Sequence, residues 1–166
     1  GGGGGAGLGG GVFDRSGGFT CTNCTFAFNQ AVGGDGGNGW FSGGGAAGTG
    51  SGGAIFNLNG SVIADNCLFA ENTSSDTGEQ LAGELGSTGG HNLVQTTDAE
   101  VSFIGVTTDD LLDIDPLVYP LSDNGGNTDT HMMESCNPVS PAIDAGNDDL
   151  ASDFDQIGQE RNGISD

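Results

Sequence analysis

Two blocks of this chain are copies of one another. Residues 9–30 read GGGVFDRSGGFTCTNCTFAFNQ and residues 52–73 read GGAIFNLNGSVIADNCLFAENT, aligned without a gap at an offset of 43. Identities fall at Gly9/Gly52, Gly10/Gly53, Phe13/Phe56, Gly17/Gly60, Asn23/Asn66, Cys24/Cys67, Phe26/Phe69, Ala27/Ala70 and Asn29/Asn72. A repeat of this kind is a unit that cannot bury its apolar face alone and must stack on its neighbour. The first copy holds three short β-prone runs, Val12-Phe13, Phe19 to Thr22 and Cys24 to Phe28, punctuated by Gly or Asn. Alternation along a strand sends Phe19 and Cys21 to one face and Thr20 and Thr22 to the other. The second copy places Val62 and Ala64 inward on the same logic. Cys24 and Phe26 are then expected to lie on Cys67 and Phe69 inside the stack, with Cys21 on Ala64. Asn23/Asn66 and Asn29/Asn72 fall at corners, where Asn tolerates a left-handed backbone and its amide can bond the next copy. The expected fold is all-β: a right-handed parallel β-helix.

An offset of 43 exceeds a solenoid coil of roughly 20–25 residues, and the excess is the glycine-rich stretch Ala31–Ser51. Of the 35 glycines, 23 lie within the first 53 residues, but apolar strands interrupt them, which argues for order. The stretch is read as an excursion that either folds back over apolar surface or is displayed for binding, with Trp40-Phe41 its aromatic pair. A third, degenerate coil is expected from Gly89 through Val101–Ile104, and a fourth from Pro116-Leu117 to Ala142-Ile143. Helical spacing is absent except for a short candidate turn around Leu81–Leu85. The chain therefore reads as a single domain or segment, 1–166, with glycine-rich coils over 1–88 and acidic coils over 89–166. Hydrophobic residues at 34% suit a thin core fed evenly along a solenoid.

Formal net charge is −21, with Arg15 and Arg161 the sole Lys or Arg residues. Nucleic acid is excluded as a partner, because phosphate contacts need clustered cations. Anionic membrane surfaces are disfavoured for the same reason, and no apolar run is long enough to insert. The load is lopsided: Asp14, Asp35, Asp65 and Glu71 are the four acids of residues 1–75, and nineteen follow. The chain opens on five glycines without a signal peptide, so it is expected to be a mature or trimmed portion of an exported precursor.

GGAIFN followed by NCLFAEN resembles the GGAI and FxxN repeats of polymorphic outer-membrane-type surface proteins. GGHNLVQ, DIDPLVYPLSDNGGNTDTH and SPAIDAGN resemble the C-terminal region of bacterial β-helix surface proteins often labelled choice-of-anchor proteins. The resemblance spans roughly residues 9–30, 52–73 and 89–162. Asn127 stands where that pattern usually has proline, and Glu134–Val139 is longer than the usual connection. The resemblance implies export, a pectin-lyase-like β-helix and a cell-surface or extracellular location. It implies no activity, since fold alone does not settle function.

Four groups of residues are candidates for chemistry. Cys21-x-x-Cys24 has redox or metal spacing, but its position on a strand and corner favours packing thiols, with a Cys24–Cys67 disulfide the alternative in an exported chain. Calcium is the candidate cofactor, since closely spaced carboxylates in turns suit its oxygen preference. Its candidate ligands are Asp109, Asp110, Asp113 and Asp115, or Asp144, Asn147, Asp148 and Asp149. GGDGGNGWF (33–41) approaches the GGxGxDxUx calcium nonapeptide but has Asn38 in place of the aspartate. Asn127-Thr128-Asp129 followed by Gly146-Asn147-Asp148-Asp149 resembles, in order, two aspartate motifs of polygalacturonases, where paired carboxylates flank the scissile bond. The companion His-Gly and basic motifs are missing, so catalysis through Asp129, Asp148 and Asp149 is the alternative reading. His91 and His131 read as structural hydrogen-bonders. Thr20, Thr22 and Thr25 give way to Ile63, Asp65 and Leu68 in the second copy, so no outward threonine array continues. The expected function is a non-catalytic structural or adhesive role at a cell surface or in an extracellular matrix. Its partners are surface glycans or proteins, or further copies added end to end into fibres.

Overall fold

The computed structural model describes residues 1–40, 43–86, 89–98, 101–104 and 109–161. The first pass of the chain forms β1 (Gly7–Leu8), β2 (Val12–Arg15), β3 (Gly18–Thr22), β4 (Thr25–Ala27) and β5 (Gln30–Ala31). The second forms β6 (Gly50–Ser51), β7 (Ile55–Leu58), β8 (Ser61–Asp65), β9 (Leu68–Ala70) and β10 (Thr73–Ser74). Each second-pass strand pairs in parallel with its first-pass counterpart, from Gly7↔Gly50 and Val12↔Ile55 to Phe26↔Phe69 and Thr73↔Gln30. The sequence offset is thus the hydrogen-bonding register itself.

Later passes are shorter. β11 (Leu81–Gly86) pairs with both β7 and β8, and β12 (Leu93–Val94) pairs with β9. β13 (Val101–Ile104) and β14 (Leu111–Leu112) then pair with β11 and β12. All pairings between these strands are parallel, and the result is a curled parallel sheet. Among the described residues the one helical element is a short 3-10 turn, Asp148–Leu150. Three sequence expectations need correction. Leu81–Leu85 is strand, because its Leu81 and Leu85 side chains drop into the core. Residues 116–143 are not a fourth coil: they carry antiparallel bridges, Val118↔Met133 and Ser122↔Thr130. The expected third coil, Gly89 through Val101–Ile104, is also divided: β11 with β12 forms the third layer, and β13 with β14 the fourth.

The interior is narrow and stacked. Cys21, Ile55, Val62, Ala64, Cys67, Phe69, Leu81, Leu85 and Val94 form one buried cluster, with Val12, Phe19, Cys24, Phe26 and Leu112 against it. The Phe26 and Phe69 rings stack nearly parallel, 5.1 Å apart with 4° between planes. Phe69 is fully buried, and a side chain of its kind contributes roughly 1.5–3 kcal/mol by leaving water.

Phe41 and Ser42 lie outside the described residues, and the described part of the glycine-rich excursion is held by a neighbouring segment. It packs against the N-terminal glycines through its own backbone. Gly4 N–H donates to Ala46 O, Gly48 N–H to Gly34 O, and Gly34 N–H to Gly5 O, each at 2.8 Å. Gly37 N–H to Gly2 O and Gly45 N–H to Gly37 O repeat the pattern three residues along. A Cβ added at Gly1, Gly4 or Gly7 would sit about 2 Å from backbone of the neighbouring segment, and the same holds at Gly33, Gly36, Gly39, Gly45 and Gly48. The three-residue period is that of a polyproline II helix, which has no internal hydrogen bonds and offers its amides to neighbours. Trp40, at the end of the middle segment, is 91% exposed.

Candidate functional site

The side chains with the most chemistry gather along one corner of the sheet formed by β4, β9, β12 and β14. Asn23 and Asn66 are left-handed (φ 55° and 57°), as expected at a corner, and His91 (φ 58°) occupies the next level. The Asn66 amide donates to Asn23 Oδ1. One position along, Cys24, Cys67, Asn92 and Asp110 follow each other from pass to pass. Cys67 N–H donates to Asn92 Oδ1 (3.0 Å), and Asn92 Nδ2 donates to Ala64 O (2.9 Å) and Asp110 Oδ1 (3.0 Å).

The second asparagine pair works differently from the expectation. At that corner the left-handed residues are Phe28 and Glu71, each just before the asparagine. Asn72 is 2% exposed, and all its bonding capacity is used. Its Oδ1 accepts from Asn29 N and Nδ2 at 2.9 Å, while its Nδ2 donates to Phe26 O (2.8 Å) and Gln80 Oε1 (2.6 Å). Such saturation is what a buried amide requires. Asp65, expected to face outward, is buried and accepts from Gly89 N–H at 2.7 Å.

The C-terminal segment lies across the first corner as a strap. Asn23 Nδ2 donates to Leu150 O, Asn147 N–H donates to Asn66 Oδ1 (2.8 Å), and the His91 Nδ1–H donates to Ala145 O (3.1 Å). The SPAIDAGN block has a structural purpose here. Ser140 is buried and donates through its hydroxyl to Pro116 O. A Cβ at Gly146 would come within 2.9 Å of Asn66 Oδ1. Asn147 caps the 3-10 turn by accepting from Asp149 N–H at 3.0 Å. Further along, the His131 ring stacks on Phe28 (5.4 Å, 18°) and its Nδ1–H donates to Tyr119 O at 2.8 Å. Both histidines thus act as hydrogen-bonders.

Between strap and corner runs a cleft of about 170 Å³ whose walls include Asn23, Cys24, Asn66, Cys67, His91 and Asp109. A second cleft, about 310 Å³, lies beside Glu71, Asp115, Tyr119 and Glu134. Asp129, Asp148 and Asp149 are exposed and line neither. The candidate calcium ligands are also dispersed. Asp110 serves Asn92, Asp113 accepts from Thr97 N (2.6 Å) and Oγ1 (2.8 Å), and Asp115 accepts from Leu117 N–H (2.9 Å). Asp144 is left-handed, and Asn147 bonds Asn66 through its backbone N–H and Asp149 N–H through its side chain. Among the described residues no three His, Cys, Asp or Glu side chains come together as a metal centre.

All four cysteines are free thiols, Cys21 and Cys67 buried, Cys24 half-buried and Cys136 exposed. A hydrogen bond to Cys67, then burial, pushes the Cys21 thiol well up, while the same bond holds Cys67 below its ordinary value. Burial pushes Cys24 up. At the second cleft the Tyr119 hydroxyl bonds the Glu134 carboxylate, raising the phenol and lowering the acid. Asn92 and Gln80 escape sequence reasoning, and the bonding roles of Asp65 and Asp110 do too, because the passes that bring them together differ in length. The signal was available for Asn92 alone, through Leu93-Val94 aligning with Leu68-Phe69. No helix of the described residues is long and apolar enough to cross a membrane. No protein-family description, curated protein or solved structure matches this chain.

Proposed function

We propose that the chain is a stretch of right-handed parallel β-helix from an exported protein, serving a structural or adhesive role at a cell surface or in an extracellular matrix. One observation carries this reading: the polar groups that could do chemistry are used as rungs and clips of the stack. Asn23, Asn66, His91 and Asn147 hold the strap, Asn29 and Asn72 join the first two passes, and Asp110 and Asp113 tie down neighbouring backbone. What such an arrangement delivers is a persistent surface. The acidic exterior keeps it soluble and favours glycan or protein ligands over nucleic acid. The resemblance to bacterial β-helix surface proteins supports export and the cell-surface location.

The test is incubation with pectic and other uronic polymers, reading reducing ends and unsaturated products. No release above buffer is expected. Release that an Asp129→Asn, Asp148→Asn double variant abolishes would replace the structural reading with the glycosidase one.

A further inference from the structure

Three thiols meet where the first pass of the chain lies on the second. Cys24 and Cys67 occupy equivalent places, each one residue before the paired strands β4 and β9, and Leu68 N–H donates to Cys24 O across the step at 2.9 Å. Neighbouring strands of a sheet stand about 4.8 Å apart, within the Cα separation of roughly 4.4–6.8 Å that a disulfide spans. The Cys67 thiol donates to Asp65 O at 3.3 Å and to Cys21 O at 3.6 Å and interacts with the Cys24 side chain, while the Cys21 thiol donates to Ile63 O at 3.7 Å. Access is graded. Cys24 is half-buried and, with Cys67, lines the 170 Å³ cleft, whereas Cys21 is buried and does not line it.

We propose that Cys24 and Cys67 are an oxidation site, closed by small-molecule disulfides into a covalent staple between the first and second passes. The half-buried Cys24 thiolate attacks one sulfur of the oxidant, RSSR, forming the Cys24–SR mixed disulfide and releasing RS⁻. The Cys67 thiolate then attacks the Cys24 sulfur, forming the Cys24–Cys67 bond and expelling the second RS⁻. The two protons lost by the cysteines are taken up by the two RS⁻ groups, so two thiols are oxidised and one RSSR is reduced to two RSH.

The staple closes a loop running from residue 24 to residue 67, long enough for a marked restriction of the unfolded chain. The full chain, folded and at neutral pH, is incubated with oxidised glutathione, alkylated, digested and mapped by mass spectrometry, with free thiols counted in parallel. The staple predicts a Cys24–Cys67 cross-linked peptide, loss of those two thiols from the alkylated pool, and a melting temperature about 5 °C or more higher. A Cys21→Ala variant keeps the same link, and a Cys67→Ser variant loses it. A Cys21–Cys67 link in place of Cys24–Cys67 would overturn the assignment. So would full retention of the Cys24 and Cys67 thiols in folded chain under conditions that oxidise them in urea.

Discussion

Phe69 and Phe13 are the same residue type, each at a position where both copies of the repeat have Phe, yet they stand in opposite environments. Phe69 has no exposed surface and lies flat against Phe26, whereas Phe13 is 47% exposed and only tilted against Phe56. Phe69→Ala is therefore expected to cost about 3–5 kcal/mol, and Phe13→Ala about 1 kcal/mol or less, the range of surface changes. Urea melts of the two variants read the difference directly. Equal losses would mean that the stack does not place the aromatic rings as described. At this scale most of the interior was legible in the sequence, because alternation within Phe19–Thr22 and Val62–Asp65 decides which side chains turn inward. Asp65 was not, since its burial depends on an acceptor being needed by Gly89 from a later pass.

Elements differ in what their composition can reveal. The 43-residue offset translates into register because both copies have the same length, so each rung keeps its partner. The later passes shorten, and there the sequence is ambiguous: Leu81-Ala-Gly-Glu-Leu-Gly fits a helical turn by spacing but becomes a strand through pairing with β7, β8 and β13. The glycine excursion hides its order differently. Its signal is Gly33, Gly36, Gly39 and Gly45, Gly48 at intervals of three, a period that neither helix nor strand templates contain. Gly36→Ala would put a methyl group 1.9 Å from Gly45 O. It should abolish slow amide exchange at Gly34, Gly37, Gly45 and Gly48 while leaving β7–β9 protected. Trp40 reports on the same element, because at 91% exposure it should be quenched by acrylamide almost as freely as a model peptide. A shielded Trp40 would place the excursion over the core instead.

For the whole molecule, charge and strap set the response to pH. Asp113 is held below its ordinary 3.8 by Thr97, and Glu134 below its ordinary 4.5 by Tyr119. Depressed carboxyls contribute stability that is full above their ordinary values and lost as pH falls through the folded ones, so these contacts loosen in acid. Tyr119 has the opposite sign: it is raised above its ordinary 10.0, so its share holds below that value and is lost as pH rises through the folded one. The chain has one tyrosine, so an alkaline absorbance titration isolates it, and Glu134→Gln should return its midpoint toward 10.0. An unchanged midpoint would show that the pair does not form. The fold-back of residues 116–161 over the corner was not legible, because its contacts join Asn23, Asn66 and His91 to backbone atoms that no side-chain pattern advertises.

The central claim is that each pass of the chain rests in register on the one before. Solution NMR tests it through cross-strand contacts in a uniformly labelled sample. Stacking predicts close proton contacts between residues 43 apart, notably Phe26 with Phe69, Ala27 with Ala70 and Cys21 with Ala64. It also predicts contacts from Leu93 to Leu68 and from Val94 to Phe69. Antiparallel cross-strand contacts among these residues, or contacts at a different offset, would contradict it.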